Sequence, residues 1–187
     1  MKSSILMNHN WIYIMIALLF VGCFKPKARH PITYTSGRDQ STSIAFNKKL
    51  YELESKRIES YIKKDSLNVY QNSKLGFWYA ITNDIKDDIF PEKGDKVTFD
   101  YAVYDFDGHL LYAKEDLGRQ SYYVEQQEMI QGLQAGIQYL NKGEKVIFLF
   151  PSHMAYGYYG DRNKIGANTP IIITLELIDI NKKNIKP

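Results

Sequence analysis

Tyrosine is the residue type in this sequence whose abundance and placement most clearly suggest chemistry. There are 15 tyrosines among 187 residues. Residues 146–160 read VIFLFPSHMAYGYYG, an apolar strand that runs into a loop with three tyrosines. Because tyrosine is enriched at ligand clefts and interfaces, the segment has two interpretations. It is either a loop that packs its own tyrosines or one wall of a binding pocket.

Side chains for metal, nucleophilic or redox chemistry do not occur in suitable patterns. The four histidines, at positions 9, 30, 109 and 153, have no metal-ligand spacing with one another or with Cys23. The sequence DFDG at 105–108 is better explained by a hairpin turn than by a calcium loop. No nucleophile elbow, phosphate-binding loop or dinucleotide fingerprint is found. We therefore predict neither a metal site nor a cofactor.

One reaction needs little more than an apolar, tyrosine-rich pocket. Rotation about an Xaa-Pro amide has a barrier of about 18–20 kcal/mol because resonance is lost as the bond twists. The twisted amide is less polar than the planar one, so a dry aromatic pocket favours it. A few hydrogen-bond donors for the carbonyl add to this effect, and no nucleophile is required.

The overall composition is that of a globular protein with one domain and appendages. Apolar residues make up 44% of the chain and charged residues 24%, which is enough material for one core. The net charge is +3, and the basic residues are dispersed rather than arranged in a stripe. We therefore predict no nucleic-acid partner.

Residues 1–22 are predicted to be a lipoprotein signal peptide. A weakly basic start precedes WIYIMIALLFVG, which suits the apolar region of a secretory signal and is too short to span a bilayer. Gly22 before Cys23 resembles a bacterial lipoprotein cleavage site, although Phe20 stands where an aliphatic residue is usual. Lipidation of Cys23 would anchor the protein to a membrane. The alternative is a plain signal peptide with an incidental cysteine.

A tether and a helix are predicted to follow the cysteine. Residues 23–40 contain two prolines and a glycine and have no apolar period, which indicates an extended tether. Phe24 in place of an aspartate favours, by analogy, an outer-membrane lipoprotein whose domain faces the periplasm. Residues 41–74 predict a helix and a linker, with apolar residues at helical spacing: Ile44, Leu50, Leu53, Ile58, Tyr61 and Ile62. This helix packs on the domain, holds it away from the membrane or, as a minority interpretation, dimerises.

The rest of the chain predicts an α+β fold. GFWYAIT, KVTFDYAVYDF, VIFLF and IIITLELIDI are rich in β-branched and aromatic residues, as strands are. Between them, apolar residues at 130, 133, 137 and 140 fall on one face of a short helix. One short helix among long strands favours an antiparallel sheet that buries the helix on one face.

Several motifs together resemble the FKBP-type peptidyl-prolyl isomerase domain. They are Gly94-Asp95-x-Val97, Ile130-x-Gly132, Gly143-Glu144 and Ala155-Tyr156-Gly157, in that order, within residues 75–181. Residues 182–187 then form a tail. The surrounding architecture of lipobox, tether, helix and GFWY is similar to the FKBP-like lipoproteins associated with gliding motility in bacteria. The resemblance implies an FKBP-like antiparallel sheet wrapped around one short helix.

The resemblance also implies a site for proline-containing polypeptides. Tyr101 would line it, Tyr156 would offer its hydroxyl and Ile130 its backbone N–H to substrate carbonyls. The remaining substrate-binding positions implied are Leu111, Tyr112, Met129, Leu133, Ile165 and Ile173. For Tyr101 and Tyr156 the alternative is ordinary aromatic packing, and Met129, Ile130, Leu133 and Ile173 are equally compatible with a core.

Two departures from the family pattern bear on activity. The family's Phe-Asp after the hairpin glycine is replaced by Leu111-Tyr112, or by Tyr112-Ala113 if the register slips by one residue, so the aspartate is not matched. The position commonly occupied by tryptophan in the pocket floor is Leu133. Tyr122 or Tyr123 is a candidate for a second aromatic wall.

The expected function is a membrane-anchored prolyl isomerase that assists exported proteins, with gliding or secretion machinery as a candidate partner. The unmatched aspartate and tryptophan favour weak activity or, as an alternative, a non-catalytic adaptor that binds a protein through its aromatic groove. A carbohydrate-binding module is a third hypothesis, but no exposed row of aromatic residues is evident for it.

Overall fold

A computed structural model of the protein describes residues 37–183, with side chains from residue 41. The predicted signal peptide, Cys23 and most of the predicted tether lie outside the described residues. Within the described range, no helix is both long and apolar enough to cross a membrane.

The helices and strands follow one another in the order that the α+β prediction requires. The helices are α1 (Gly37–Lys64), α2 (Lys114–Leu117) and α3 (Gln131–Gly136). The strands are β1 (Gln71–Asn72), β2 (Trp78–Asn83), β3 (Lys96–Tyr104), β4 (Leu110–Tyr112), β5 (Gln120–Tyr123), β6 (Lys145–Phe150) and β7 (Ile171–Asn181). Short 3-10 turns occupy Ile137–Tyr139, Ser152–Met154 and Gly157–Tyr159.

The seven strands form one antiparallel sheet. Its order is β1-β2-β6-β7-β3-β4, and β5 also pairs with β3. Strand β3 pairs with β7 along its whole length, with β5 near its start and with β4 near its end. A register shift between Thr98 and Phe99 bends this pairing, as a β-bulge does. The predicted antiparallel sheet and the predicted hairpin before β4 are both confirmed.

Helix α3 packs against β6 with almost no space between them. A Cβ atom added to Gly132 would lie 2.6 Å from ring atoms of Phe150, and one added to Gly136 would lie 2.7 Å from the Phe148 ring. The two phenylalanine rings stack with centroids 5.1 Å apart. Leu133 faces the same core and is buried. The predicted burial of a short helix on one face of the sheet is therefore confirmed.

Helix α1 covers part of the opposite face of the sheet. Ile58 forms a second buried cluster with Leu149 of β6 and Ile172 of β7, and Tyr61 and Ile62 pack against it. This favours the predicted interpretation in which the helix packs on the domain.

The first part of α1 departs from the predicted apolar face. Ile44 and Leu53 are exposed, whereas Glu54 is buried. Glu54 and Ile58 are four residues apart and so share one face of the helix. Leu53 lies about 100° around the helix from Glu54 and points away from the sheet.

Two acids of the recognised motifs brace loops rather than perform chemistry. Asp95 is buried and accepts the backbone N–H groups of Glu92 and Lys183, each at 2.8 Å. Burial of Asp95 opposes its ionisation, but these bonds and the nearby Lys182 lower the pKa of this carboxyl below its usual range. Glu144 is likewise buried and accepts the Asn141 N–H at 2.8 Å.

The α3–β6 contact predicts the effect of adding one methyl group. In Gly132→Ala the gain in helix propensity is about 1 kcal/mol. Overpacking against the Phe150 ring costs about 1–3 kcal/mol, so we expect a net loss in the free energy of unfolding measured in urea. Gln131→Ala, at an exposed neighbouring position, should change stability by less than about 0.5 kcal/mol. A stabilised Gly132→Ala variant would contradict the packing described.

Candidate functional site

The nine predicted substrate-site residues all belong to the cluster on the α3 side of the sheet. Three of them are fully buried: Leu133, Ile165 and Ile173. Six are partly buried and pack against these: Tyr101, Leu111, Tyr112, Met129, Ile130 and Tyr156. The arrangement gives a buried apolar floor with partly exposed aromatic and aliphatic side chains above it.

Tyr156 lies at the point where the loop after β6 turns. It precedes the 3-10 turn Gly157–Tyr159. Burial, followed by the proximity of Tyr101, Asp161 and Tyr112, raises the pKa of Tyr156 to about 12. The Tyr156 hydroxyl is therefore protonated, and able to donate, throughout the pH range in which proteins work. The Tyr101, Tyr112 and Asp161 side chains are thus near enough to Tyr156 to affect its ionisation.

Tyr101 supplies a second hydroxyl from β3. Its ring lies 5.8 Å, centroid to centroid, from the ring of buried Phe99. Burial raises the pKa of Tyr101. Within the part of the chain that the structure describes, neither the Tyr101 nor the Tyr156 hydroxyl makes a hydrogen bond. Both are therefore available to a ligand.

The start of α3 supplies a backbone donor. Ile130 has extended backbone angles (φ −56°, ψ 137°), and its carbonyl accepts the N–H groups of Leu133 and Gln134. The Gln134 side chain donates to the Met129 carbonyl at 2.7 Å. Among residues 41–183 the Ile130 N–H has no partner, as expected at a helix N-terminus. The Ile130 side chain packs against the same apolar core as the Tyr101 and Tyr156 side chains.

A network from the loop after β6 holds Tyr112 in place. The Tyr112 hydroxyl donates to Asp161 Oδ2 in a short hydrogen bond. Asp161 Oδ1 accepts the N–H groups of Asn163 and Ile165, each at 2.8 Å. Lys164 Nζ lies 4.9 Å from the centre of the Tyr112 ring, a distance at which a cation–π interaction forms. The Tyr112 side chain is thus held at its hydroxyl by Asp161 and at its ring by Lys164.

Asp161 is a site residue that the sequence patterns did not indicate. The aspartate that the family has after the hairpin is not present here, because β4 reads Leu110-Leu111-Tyr112 and Ala113 follows it. Instead, the Asp161 carboxylate, in the loop after β6, accepts a hydrogen bond from the Tyr112 hydroxyl. The spacing of Asp161 and Asn163 is that of an Asx turn, which could have signalled a structured loop but not its partner.

The expectation of a second aromatic wall from Tyr122 or Tyr123 is wrong. Tyr122 lies in the core and its hydroxyl accepts the Glu125 N–H at 3.1 Å. Tyr123 points to the other side of β5 and is exposed. Adjacent residues of a strand face opposite sides of the sheet, so only one of these two side chains can face the core. That residue is Tyr122, and its ring is fully packed there.

Comparisons with known proteins agree with this architecture. Residues 87–178 match the family model of the FKBP-type peptidyl-prolyl cis-trans isomerases. A probable FKBP-type peptidyl-prolyl cis-trans isomerase, FkpA, from Neisseria meningitidis serogroup B is 28% identical over 124 residues. That alignment covers 65% of this chain and 44% of the relative, so the chain spans less than half of the relative's length.

Two solved structures share the fold. A peptidyl-prolyl cis-trans isomerase from Pseudomonas syringae superposes with a TM-score of 0.59 at 19% identity, covering 72% of this chain and 96% of that one. FkpA from Escherichia coli superposes with a TM-score of 0.58 at 20% identity, covering 94% and 83%. Residues 87–178 thus match an FKBP-type peptidyl-prolyl cis-trans isomerase domain, as the motifs predicted, and the predicted FKBP-like fold is confirmed.

The Asp161 network predicts a pH-dependent contribution to stability. Burial of Asp161 opposes its ionisation, but the Tyr112 hydroxyl and the loop N–H groups lower its pKa. A lowered pKa contributes stability above about pH 4 that is lost as the pH falls through the folded-state value. Unfolding free energies of wild type and Asp161→Asn should therefore differ most above about pH 5 and converge in acid.

The matched control is Asp116→Asn, which removes a carboxylate from an exposed position on α2. It should leave the pH dependence of unfolding close to that of wild type. A constant gap between wild type and Asp161→Asn down to about pH 2 would contradict an ionised Asp161 in the network.

Proposed function

We propose that the protein is a peptidyl-prolyl cis-trans isomerase that acts on proline-containing polypeptides. One observation carries the proposal: the Tyr101 and Tyr156 hydroxyls and the Ile130 N–H have no partner among residues 41–183, and the side chains of these residues pack against the apolar core that contains Leu133, Ile165 and Ile173. These are the elements that the reaction needs and the ones that the resemblance assigned.

The proposed mechanism relies on differential binding of the twisted amide. The apolar floor of Leu133, Ile165 and Ile173 receives the prolyl ring and excludes water from it. The twisted amide loses resonance and polarity, so it suits this environment better than the planar amide does. The Tyr156 hydroxyl and the Ile130 N–H hold carbonyl oxygens of the bound segment and so orient the bond that rotates. No covalent step is involved.

The proposed cleft has a smaller floor residue than the family commonly has. Leu111 and Tyr112 lie on β4, and Met129 precedes α3. Leucine at position 133 is smaller than the tryptophan that the family commonly has there, so less aromatic surface meets the prolyl ring. We infer that the cleft accepts varied residues beside proline, at some cost in rate.

Loss of the Tyr156 hydroxyl should reduce isomerisation. We expect Tyr156→Phe to lower kcat/KM about 5- to 10-fold, the effect of removing one net hydrogen bond, in a protease-coupled assay. Tyr159→Phe is the matched control, because it removes a hydroxyl three residues away from a ring that is 75% exposed. Its kcat/KM should equal that of wild type.

The isomerase proposal fails if folded wild-type protein does not exceed the uncatalysed rate. It also fails if Tyr156→Phe combined with Leu133→Ala is as active as wild type. The first outcome would favour the second candidate function, a non-catalytic adaptor. Exposed Tyr158 and Tyr159, whose rings meet edge to face at 5.2 Å, are the observation that supports that alternative.

We also propose that the domain is anchored to the periplasmic side of the outer membrane through lipidated Cys23. The support is the lipobox-like sequence and the 13 residues between Cys23 and the start of α1 at Gly37. On this proposal the substrates are exported polypeptides, among them components of a gliding or secretion machine.

A single substitution tests the anchor. Cys23→Ser removes the thiol that would carry the lipid, so the variant should leave the detergent phase in detergent-partitioning experiments, whereas wild type should remain in it. Loss of acyl chains removes about 0.8 kcal/mol of membrane binding per methylene, so the shift should be nearly complete. A variant that still fractionates with membranes would contradict lipidation of Cys23.

A further inference from the structure

A cavity outside the prolyl cleft lies between α1 and the loop that follows β6. Its volume is about 400 Å³, and both elements contribute to its lining, including Asn47, Tyr51, Glu54, Tyr158 and Asn168. A cavity of this size falls within the range of ligand sites and greatly exceeds the space of one water molecule. None of the roles assigned above uses it.

Glu54 is the unusual group in this lining. Its side chain is buried, with 5% of the residue exposed. Oε2 accepts the Ser152 N–H at 2.9 Å, whereas Oε1 has no hydrogen-bond partner. An unpaired, buried carboxylate oxygen is costly, since it has lost water without gaining a donor. The Glu54 carboxylate thus carries one acceptor oxygen that no group among residues 41–183 satisfies.

Basic residues of the chain do not supply that donor. Arg57, three residues further along α1, pairs with Asp107 at 2.8 Å. No Lys or Arg lines the cavity. His153 does line it, but among residues 41–183 neither His153 nor any other basic residue forms an ion pair with Glu54. The negative charge is consequently not neutralised from within the described chain.

The other lining groups suit a cation. Tyr158 is 67% exposed and Tyr51 is also exposed, so both rings stand at the solvent side. Tyrosine faces attract guanidinium and ammonium groups. The side-chain amides of Asn47 and Asn168 offer carbonyl oxygens as further acceptors. The acid, the two aromatic rings and the two amides favour a basic group over an anion or a hydrocarbon, and His153 is the lining residue that can itself be cationic.

The cavity and the prolyl cleft share one loop. Gly157 and Tyr158 line the cavity and directly follow Tyr156 of the cleft. The Asn168 N–H donates to the Gly157 carbonyl at 2.8 Å and fixes this shared segment. The cavity and the prolyl cleft are thus connected through residues 156–158.

We propose that this cavity binds a basic side chain, arginine or lysine, of the same polypeptide whose proline occupies the cleft, with Glu54 as the counter-ion. The inference rests on the proposed function for its substrate class. It makes the site a selector for basic residues near proline, separate from the groups that act on the amide.

Matched peptides test the inference by direct binding. Each carries one proline and either arginine or citrulline, its neutral isostere, placed in turn at each of the three positions on either side. Wild-type protein should bind the arginine peptide about 10-fold more tightly than the citrulline peptide at one or more positions, the ratio expected for a charge-assisted hydrogen bond. Isothermal titration calorimetry gives each dissociation constant without any turnover.

Two variants and one control assign the effect to the cavity. Glu54→Gln can still accept the Ser152 N–H but lacks the charge, so the preference for arginine should disappear while citrulline binding stays constant. Tyr158→Ala, at an exposed position, should reduce the preference even if Glu54→Gln folds poorly. Glu52→Gln removes the same charge from an exposed position two residues away and should preserve the preference.

Equal binding of arginine and citrulline peptides at every position would overturn the inference. So would a preference that survives both Glu54→Gln and Tyr158→Ala, or one that Glu52→Gln abolishes equally. These results are independent of catalysis. If the protein isomerises proline but does not prefer arginine, only the cavity assignment fails. If it prefers arginine but does not isomerise proline, the proposed activity fails.

Discussion

The close contact between the α3 glycines and the phenylalanines of β6 is the constraint on which the rest of the structure depends. Gly132 and Gly136 let the helix approach the stacked rings of Phe150 and Phe148 within ordinary packing distance. The approach places Leu133 in the core and leaves the Ile130 N–H, at the start of α3, without a partner among residues 41–183. Because strand side chains alternate, β6 also presents Leu149 to α1 on the other face. The same strand then delivers the loop that carries Ser152 and Tyr156. The positions of both proposed sites thus depend on β6.

The chemistry of the cleft follows from keeping donors free in a dry environment. Burial holds the Tyr101 and Tyr156 hydroxyls protonated, with the pKa of Tyr156 raised to about 12. The Tyr112 hydroxyl, by contrast, donates to Asp161, and this bond holds the side chain in place. The Tyr101 and Tyr156 hydroxyls and the Ile130 N–H have no partner among residues 41–183, so each can donate to a ligand in place of water. In the cavity beside α1, the group without a partner is an acceptor, Oε1 of Glu54.

Local patterns in the sequence were sufficient for the elements and the family, but not for long-range pairing. Apolar periodicity predicted the buried face of α3, and β-branched runs predicted β3, β6 and β7. The motifs placed the nine cleft residues in one region of the fold. Asp161 was missed because its partner Tyr112 is 49 residues away. Glu54 was missed because its bond to Ser152 spans 98 residues, and helical periodicity favoured Leu53 as the inward residue. The short strands β1 and β5 contain too few apolar residues to be recognised.

Exchange NMR on a prolyl peptide, with protein at a small fraction of the peptide concentration, tests the central claim most directly. The cis and trans resonances report the rotation itself, and the Ile130 amide resonance reports occupation of the cleft. The structure predicts exchange faster than that of the free peptide, together with a shift of the Ile130 amide as peptide is added. Exchange at the uncatalysed rate, or catalysis with the Ile130 amide unmoved, would contradict the assignment of this cleft as the site of prolyl isomerisation.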